Sequence, residues 1–344
     1  LTNLVPRPNV DRQRRDPTTL NKGPATGSPE INSMKDRARR FAFVQLDVFT
    51  SRPLEGNQLA VFTDARGLSD DEMQALAKEM NLSETTFILP GDAEAEQQHA
   101  TRVRIFTVEE ELDFAGHPTL GTAAVIREQM TSEGRDTTKV SVSLALRVGR
   151  ISVAFNTDVH GCVFGEMRQR DPEFGPVCAP EEVAQAAGLT IADIDPRLPI
   201  QTVSTGIPFT VVPLRHAKTL HQLHRKFNFA AAQPYLTKAG GRNFYFVTRD
   251  TAALDGDARG ARLEARSIFY NGEDPATGSA AGCCAAWMVR HGVAKSEEQL
   301  TIAQGLRIRR PSYLHVRAHR DHANVTDVRV GGNTVLVLRG EVTL

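Results

Sequence analysis

No stretch of this 344-residue chain holds the roughly 18 consecutive apolar residues that a membrane span needs. Neither sign of charge is in excess. Lys+Arg and Asp+Glu both number 41, so the basic face that nucleic acid or an acidic membrane demands is not provided for. Cysteine is scarce: the four present, Cys162, Cys178, Cys283 and Cys284, form no CxxC pair and no zinc spacing. Adjacent cysteines rarely close a disulfide on each other, so reduced thiols in a soluble, cytoplasmic protein are expected. GxGxxG, Walker, HExxH and GxSxG motifs are all missing, which removes the common dinucleotide, nucleotide, zinc-hydrolase and serine-hydrolase readings. His216, His221 and His224 stand among Arg215, Lys218 and Arg225, the pattern of a solvated face. No metal and no cofactor is expected.

Residues 1–40 contain no Phe, Trp or Tyr and carry nine Lys/Arg against four Asp/Glu. A segment this polar cannot bury enough apolar area to offset its ordering entropy. A disordered extension is expected there, in preference to an address signal, because Asp11, Asp16, Glu30 and Asp36 are foreign to transit peptides. Met34, just ahead of the first strand pattern, is an expected start of translation. The remainder, with the chain 40% hydrophobic and 24% charged overall, suits a globular protein of two domains.

What is present from Phe41 onward is strand-rich. Phe41 to Phe49 and Gln58 to Phe62 predict strands around the turn Ser51–Asn57. Ser69 with Glu72 forms a capping-box signature, and Met73, Leu76, Ala77 and Met80 follow at helical spacing, ending near Asn81. Glu84 to Leu89 and Val103 to Thr107 predict further strands, and Val140 to Phe155 a hairpin. Pro180–Ala187 reads as a short helix closed by Gly188. Leu306–Val316, Val325–Val330 and Thr334–Leu338 read as antiparallel strands, with Gly331-Gly-Asn333 as a turn.

Two segments differ from all the rest. His117-Pro-Thr-Leu-Gly-Thr-Ala-Ala124 and Asp274-Pro-Ala-Thr-Gly-Ser-Ala-Ala281 share a polar residue, Pro, Gly, Thr or Ser, and Ala-Ala, and both open nearly uncharged helical stretches. A helix that is apolar all round must be buried all round. An internal duplication follows: an N-terminal lobe over 41–148, which the C-terminal strand near 334–344 can complete, and a C-terminal lobe over 149–333. The fold class is α+β, two pseudo-symmetric lobes, each a β-barrel-like sheet wrapped round a central apolar helix. The helix N-termini would face a shared cleft, where free N–H groups and the helix dipoles trap an anion such as a substrate carboxylate. Ser279 lies one turn into the second helix, able to donate to the same ligand.

The residues beside that cleft admit more than one reading. Asp274 can be a plain N-cap before Pro275, or a titratable group next to the anion. His117 can satisfy a neighbouring carbonyl, or act near neutral pH. Glu84 enters a strand among apolar residues, where an unpaired carboxylate is costly. It is either paired structurally or poised for proton transfer. Cys283 and Cys284 lie more than two turns into the helix and read as core.

These stretches resemble the PhzF-like phenazine-biosynthesis family: Asp47-Val-Phe-Thr with Gly56-Asn57, Asn81-Leu-Ser-Glu-Thr-Thr-Phe87, Phe114-Ala-Gly-His-Pro-Thr119, Ser204-Thr-Gly206 and Glu273-Asp-Pro-Ala-Thr-Gly-Ser-Ala280. The resemblance spans 41–344 and implies the diaminopimelate-epimerase-like fold and a homodimer. It assigns the proton shuttle to Glu84, with His117 and Asp274 as further catalytic positions and Gly116, Gly278 and Ser279 as substrate-binding ones. No cysteine stands at either helix opening, so a thiol-based racemase is not expected. The implied reaction is cofactor-free isomerisation of a small carboxylate such as trans-2,3-dihydro-3-hydroxyanthranilate. The alternatives are an epimerase or racemase of an amino-acid-like substrate, and a non-catalytic carboxylate-binding or scaffolding protein.

Overall fold

A computed structural model describes residues 38–97, 99–157, 162–258 and 260–344. The extension expected over 1–40 therefore lies, up to residue 37, outside the described residues. The ordered chain opens with β1 (Arg40–Val48), antiparallel to β2 (Asn57–Phe62). The turn between them needs Gly56 with φ +68, because a Cβ there would sit 2.4 Å from the Val48 carbonyl oxygen. Asn57 is thereby set at the very start of β2.

The helix α1 (Asp70–Met80) shows both bonds of its capping box, Glu72 N–H to Ser69 Oγ at 3.2 Å and Ser69 N–H to Glu72 Oε2 at 2.8 Å. Ser69→Ala should cost about 1 kcal/mol of stability, read as a lower urea midpoint at unchanged slope. The helix closes on Asn81 in the left-handed region, and three residues later β3 (Glu84–Ile88) begins, parallel to β2. The α1 cap thus decides where Glu84 enters the sheet.

β3 pairs with β4 (Thr101–Phe106), β4 with Lys139–Leu146, and the hairpin continues through Gly149–Thr157 to Val163–Arg168. The last strand, Asn324–Thr343, joins Val163–Arg168 on one side and β1 on the other. Eight strands therefore close into a barrel around the helix Gly116–Ser132. That helix is buried from Gly116 through Ala123, and its later turns emerge.

The second lobe wraps the helix Gly278–Arg290, buried from Gly278 to Val289. Its sheet runs from Glu173–Cys178 through Ile200–Ser204, Pro208–Leu214, Asn243–Thr248, Leu263–Phe269, Leu300–Gln304 and Ser312–Asp321, and ends on the same last strand. The architecture is α+β, with two lobes each built on a central apolar helix.

Three local expectations are corrected. Gly331-Gly-Asn333 does not turn the chain: it lies inside the single strand Asn324–Thr343, where its residues pair with Phe164, Gly165 and Glu166. Leu306–Val316 is not one strand: Gly305 and Arg309 both take positive φ around a short 3-10 turn, and Pro311 delays the strand until Ser312. Asp274 does not open the second helix. It ends the short strand Gly272–Asp274, and Thr277 is the N-cap. The residue before a proline avoids the helical region, so Asp274 stays extended and the helix waits until Gly278.

Candidate active site

The two central helices meet end to end at their glycines. A Cβ on Gly116 would lie 2.7 Å from Ser279 N and 2.8 Å from Gly278 C, so backbone touches backbone. The first intrahelical bonds run from Thr119 N to Ala115 O and from Ala281 N to Thr277 O. The N–H groups of Gly116, His117, Gly278 and Ser279 precede them, as the orphan donors of a helix start do. All four residues line a cavity of about 390 Å³, a size suited to a small molecule.

Glu84 lines the same cavity from the first position of β3, its side chain 16% exposed. Its Oε2 stands 3.5 Å from Nε2 of His117. Both atoms are buried, and neither has a hydrogen-bond partner. Buried polar atoms are nearly always satisfied, so two orphans side by side in residues that line one cavity mark a candidate place for a ligand atom to supply the missing contacts.

Asn57 ties the two lobes together. Its Nδ2 donates to Asp274 Oδ1 at 2.7 Å and to the Ala276 carbonyl oxygen at 2.9 Å, using both of its hydrogens, and lies 3.2 Å from His117 Nδ1. Asp274 further accepts from the Ser83 hydroxyl at 3.3 Å and the Thr277 hydroxyl at 2.7 Å. The carboxyl expected at a helix opening is thus a hub in front of the helix, held by donors from both lobes.

Burial governs the protonation states. It drives Glu84 up to about 8, helped by the charge of Asp274 and opposed by the Arg242 guanidinium. Asp274 rises to about 6, again by burial, with its hydrogen bonds from Thr277, Asn57 and Ser83 holding it down. His117 falls to about 3 because burial disfavours the imidazolium, a backbone bond at Gln58 acting the other way. Near neutral pH the site therefore holds a protonated Glu84, an uncharged His117 and an ionised Asp274.

The structure brings together all six residues singled out by sequence: Glu84, His117, Asp274, Gly116, Gly278 and Ser279. Cys283 and Cys284 are wholly buried inside the second helix, and burial raises both thiols, that of Cys283 to about 11. Three participants carried no assigned role beforehand. Asn57 was detectable as a carboxamide directly after a glycine turn on an otherwise apolar strand. Ser83 lies inside the Asn81–Phe87 motif but was given no role there, and Arg242, at the cavity wall and bonded to Glu110 at 2.5 Å, left no pattern in sequence. Among the described residues no group of His, Cys, Asp and Glu side chains converges as a metal site, and no helix is long and apolar enough to cross a membrane.

Comparison with known proteins places these features in a lineage. The family model described as phenazine biosynthesis-like protein matches residues 46–340. Over 303 residues the chain is 34% identical to the trans-2,3-dihydro-3-hydroxyanthranilate isomerase of Pseudomonas aeruginosa, covering 88% of this chain and 99% of that one. Among solved structures, a "Predicted Epimerase" of Pseudomonas aeruginosa is 37% identical with a TM-score of 0.71, covering 88% of this chain and 99% of that one. The PhzF-family phenazine biosynthesis protein of Bacillus anthracis has a TM-score of 0.73 at 25% identity, covering 89% of this chain and all of that one.

Proposed function

The chain belongs to the phenazine biosynthesis-like family and is an isomerase, and from that premise we propose that it moves a proton within a small unsaturated carboxylate, with Glu84 as the shuttle. The observation that carries this reading is the pair of orphaned atoms, Glu84 Oε2 and His117 Nε2, 3.5 Å apart on the cavity wall. A general base works best when its pKa lies near the operating pH, and burial with Asp274 nearby supplies that for Glu84.

In this scheme the substrate carboxylate rests on the N–H groups of the two helix ends, Gly116 and Gly278 with Ser279. The ionised Glu84 removes a proton from the conjugated system. His117, uncharged, donates to or accepts from a substrate polar atom, and Asp274 orients the amino or hydroxyl substituent. Glu84 then returns the proton at another carbon of the same system. The candidate substrate is trans-2,3-dihydro-3-hydroxyanthranilate, the substrate named for the relative that is 34% identical. Purified protein incubated with it in deuterated water and followed by proton NMR should convert it. Absence of both conversion and exchange would overturn the assignment.

The pH dependence has a defined sign. The working form of Glu84 is the carboxylate, so kcat/KM should rise with pH through about 8. Asp274→Asn removes the negative neighbour that helps raise Glu84, so the inflection should move to lower pH. The move is partial, because burial is the larger cause. Paired pH–rate profiles check this, and an inflection that stays or moves upward would show that the charge of Asp274 does not act on Glu84.

A second reading has its own observation. Glu84 and Asp274 are two carboxyls brought from opposite lobes to one cavity, both with raised pKa values, which suits acid and base on opposite faces of a stereocentre. Deuterium entering at a stereocentre with inversion, and not along a shifted double bond, would select it.

A further inference from the structure

Behind Asp274, away from the cavity, lies a polar cluster that the scheme above leaves unused. Gln304 ends the strand Leu300–Gln304, is wholly buried and does not belong to the cavity wall. Its amide makes four hydrogen bonds. Nε2 donates to the Asp274 main-chain carbonyl at 2.9 Å and to Thr277 Oγ1 at 3.0 Å. Oε1 accepts from the Thr277 backbone N–H at 3.2 Å and from the Tyr245 hydroxyl at 3.0 Å.

The orientation of this amide is not arbitrary. A carbonyl oxygen can only accept and a backbone N–H can only donate, so the Asp274 and Thr277 main-chain groups fix which end of the amide is which. Thr277 Oγ1 must then accept from Gln304, and its single hydrogen is left for Asp274 Oδ2, 2.7 Å away. We propose that Gln304 is a positioning residue that acts through Thr277, locking the threonine hydroxyl as a permanent donor to Asp274 and holding the segment 274–277 in register with the cavity. This rests on the reading of Asp274 as a site residue.

The backbone is shaped for that contact. Gly305, next in the chain, has φ +73, and a Cβ there would lie 2.2 Å from the Arg310 carbonyl oxygen and 2.7 Å from that of Pro275. Only glycine lets the end of this strand come so close to the 274–277 segment. Tyr245 and Gln304 are both fully buried, and an unsatisfied amide at such depth is expensive. A residue kept there solely for packing would be apolar.

The charged and titratable groups around Asp274 are Glu84 from β3, His117 from the first central helix through Asn57, Tyr245 from Asn243–Thr248, and Glu273 beside it, itself paired with Arg266. None of them touches the Thr277 hydroxyl, so loss of that donor should read directly on Asp274. The test labels aspartate carboxyls with carbon-13 and identifies Asp274 by its disappearance in Asp274→Asn. In Gln304→Met the Asp274 titration should move upward by about one pH unit, the effect of one charge-assisted hydrogen bond. Thr277→Val should do the same, Thr277→Ser should keep the wild-type titration, and the double variant Gln304→Met/Thr277→Val should shift no further than either alone.

In turnover, kcat at pH 7 should fall about tenfold in Gln304→Met with a smaller change in KM, since Gln304 itself does not line the cavity. A lower melting temperature with an unmoved Asp274 titration would make Gln304 a structural residue only and overturn the proposal, as would additive shifts in the double variant. If Gln304→Met does not fold, Thr277→Val against Thr277→Ser decides: equal titrations in the two overturn it. The titration needs no substrate, so it stands apart from the fate of the isomerase assignment.

Discussion

Glu84→Gln should lower kcat/KM about 10²–10⁴-fold, the range over which a positioned acid–base group contributes, while leaving the affinity for a small carboxylate nearly unchanged. The carboxamide has the shape of the acid but cannot take up a proton, and the proposed scheme holds the anion elsewhere, on the ends of the two central helices. The same variant should be more stable than the wild type at alkaline pH. The folded-state pKa of Glu84 is raised to about 8 from an ordinary 4.5. Stability linked to the group is therefore full below 4.5 and lost as pH climbs toward 8, where the folded protein must either keep the proton or bury a charge. Melting temperatures of the two proteins should run together in acid and separate through that window, the variant ahead by on the order of 1–3 kcal/mol. Loss of activity with a gain of stability is the mark of a group placed for chemistry at a cost to the fold. An unchanged rate would remove Glu84 from the reaction. An unchanged melting curve would show that its carboxyl is solvated.

How much of this was legible beforehand depends on which residues carried a local signal. The capping box at Ser69 and the two nearly uncharged helices are written in short windows, and the capping box and the first of these helices appear where the pattern placed them, while the second begins only at Gly278. The six candidate residues, whose roles the family resemblance supplied, meet at one cavity, because they lie in or beside those helices or at a strand entrance. Asp274 shows the limit. Its match to His117 at the head of the repeated motif suggested equivalent helix openings, yet His117 sits inside its helix and Asp274 ends a strand four residues before Gly278. The repeat records sequence order, and the spatial equivalents are Gly116 and Gly278. Asn57, Ser83 and Gln304 converge on Asp274 from 217, 191 and 30 positions away. Long-range hydrogen bonds of that kind have no period and no spacing: the motifs that hold Asn57 and Ser83 can be read in short windows, but their convergence on Asp274 cannot.

Gly116→Ala should damage both fold and turnover, and the reason is contact between two main chains. Gly116 does not need positive φ; what it needs is the absence of a side chain. A methyl group there meets Ser279 N at 2.7 Å, Gly278 C at 2.8 Å and Gly278 Cα at 2.9 Å, none of which can swing aside as a flexible side chain would. The helix ends must separate, and each is embedded in its own lobe. Overpacking of this kind costs about 1–3 kcal/mol, and a displacement of about 1 Å at the reacting centre can cost on the order of 10²-fold in rate. Gly278→Ala should be milder, because its added methyl would meet Phe49 Cζ at 3.1 Å and Gly116 Cα and His117 N at 3.3 Å. The order Gly116→Ala below Gly278→Ala below wild type, in both melting temperature and kcat/KM, tests whether the two helices truly share one anion site. If each end bound its ligand alone, separating them would leave affinity for a carboxylate intact. If the N–H groups of Gly116, Gly278 and Ser279 work as one set, the same small movement should weaken carboxylate binding and turnover together, since the anion then loses the donors of one helix end at once.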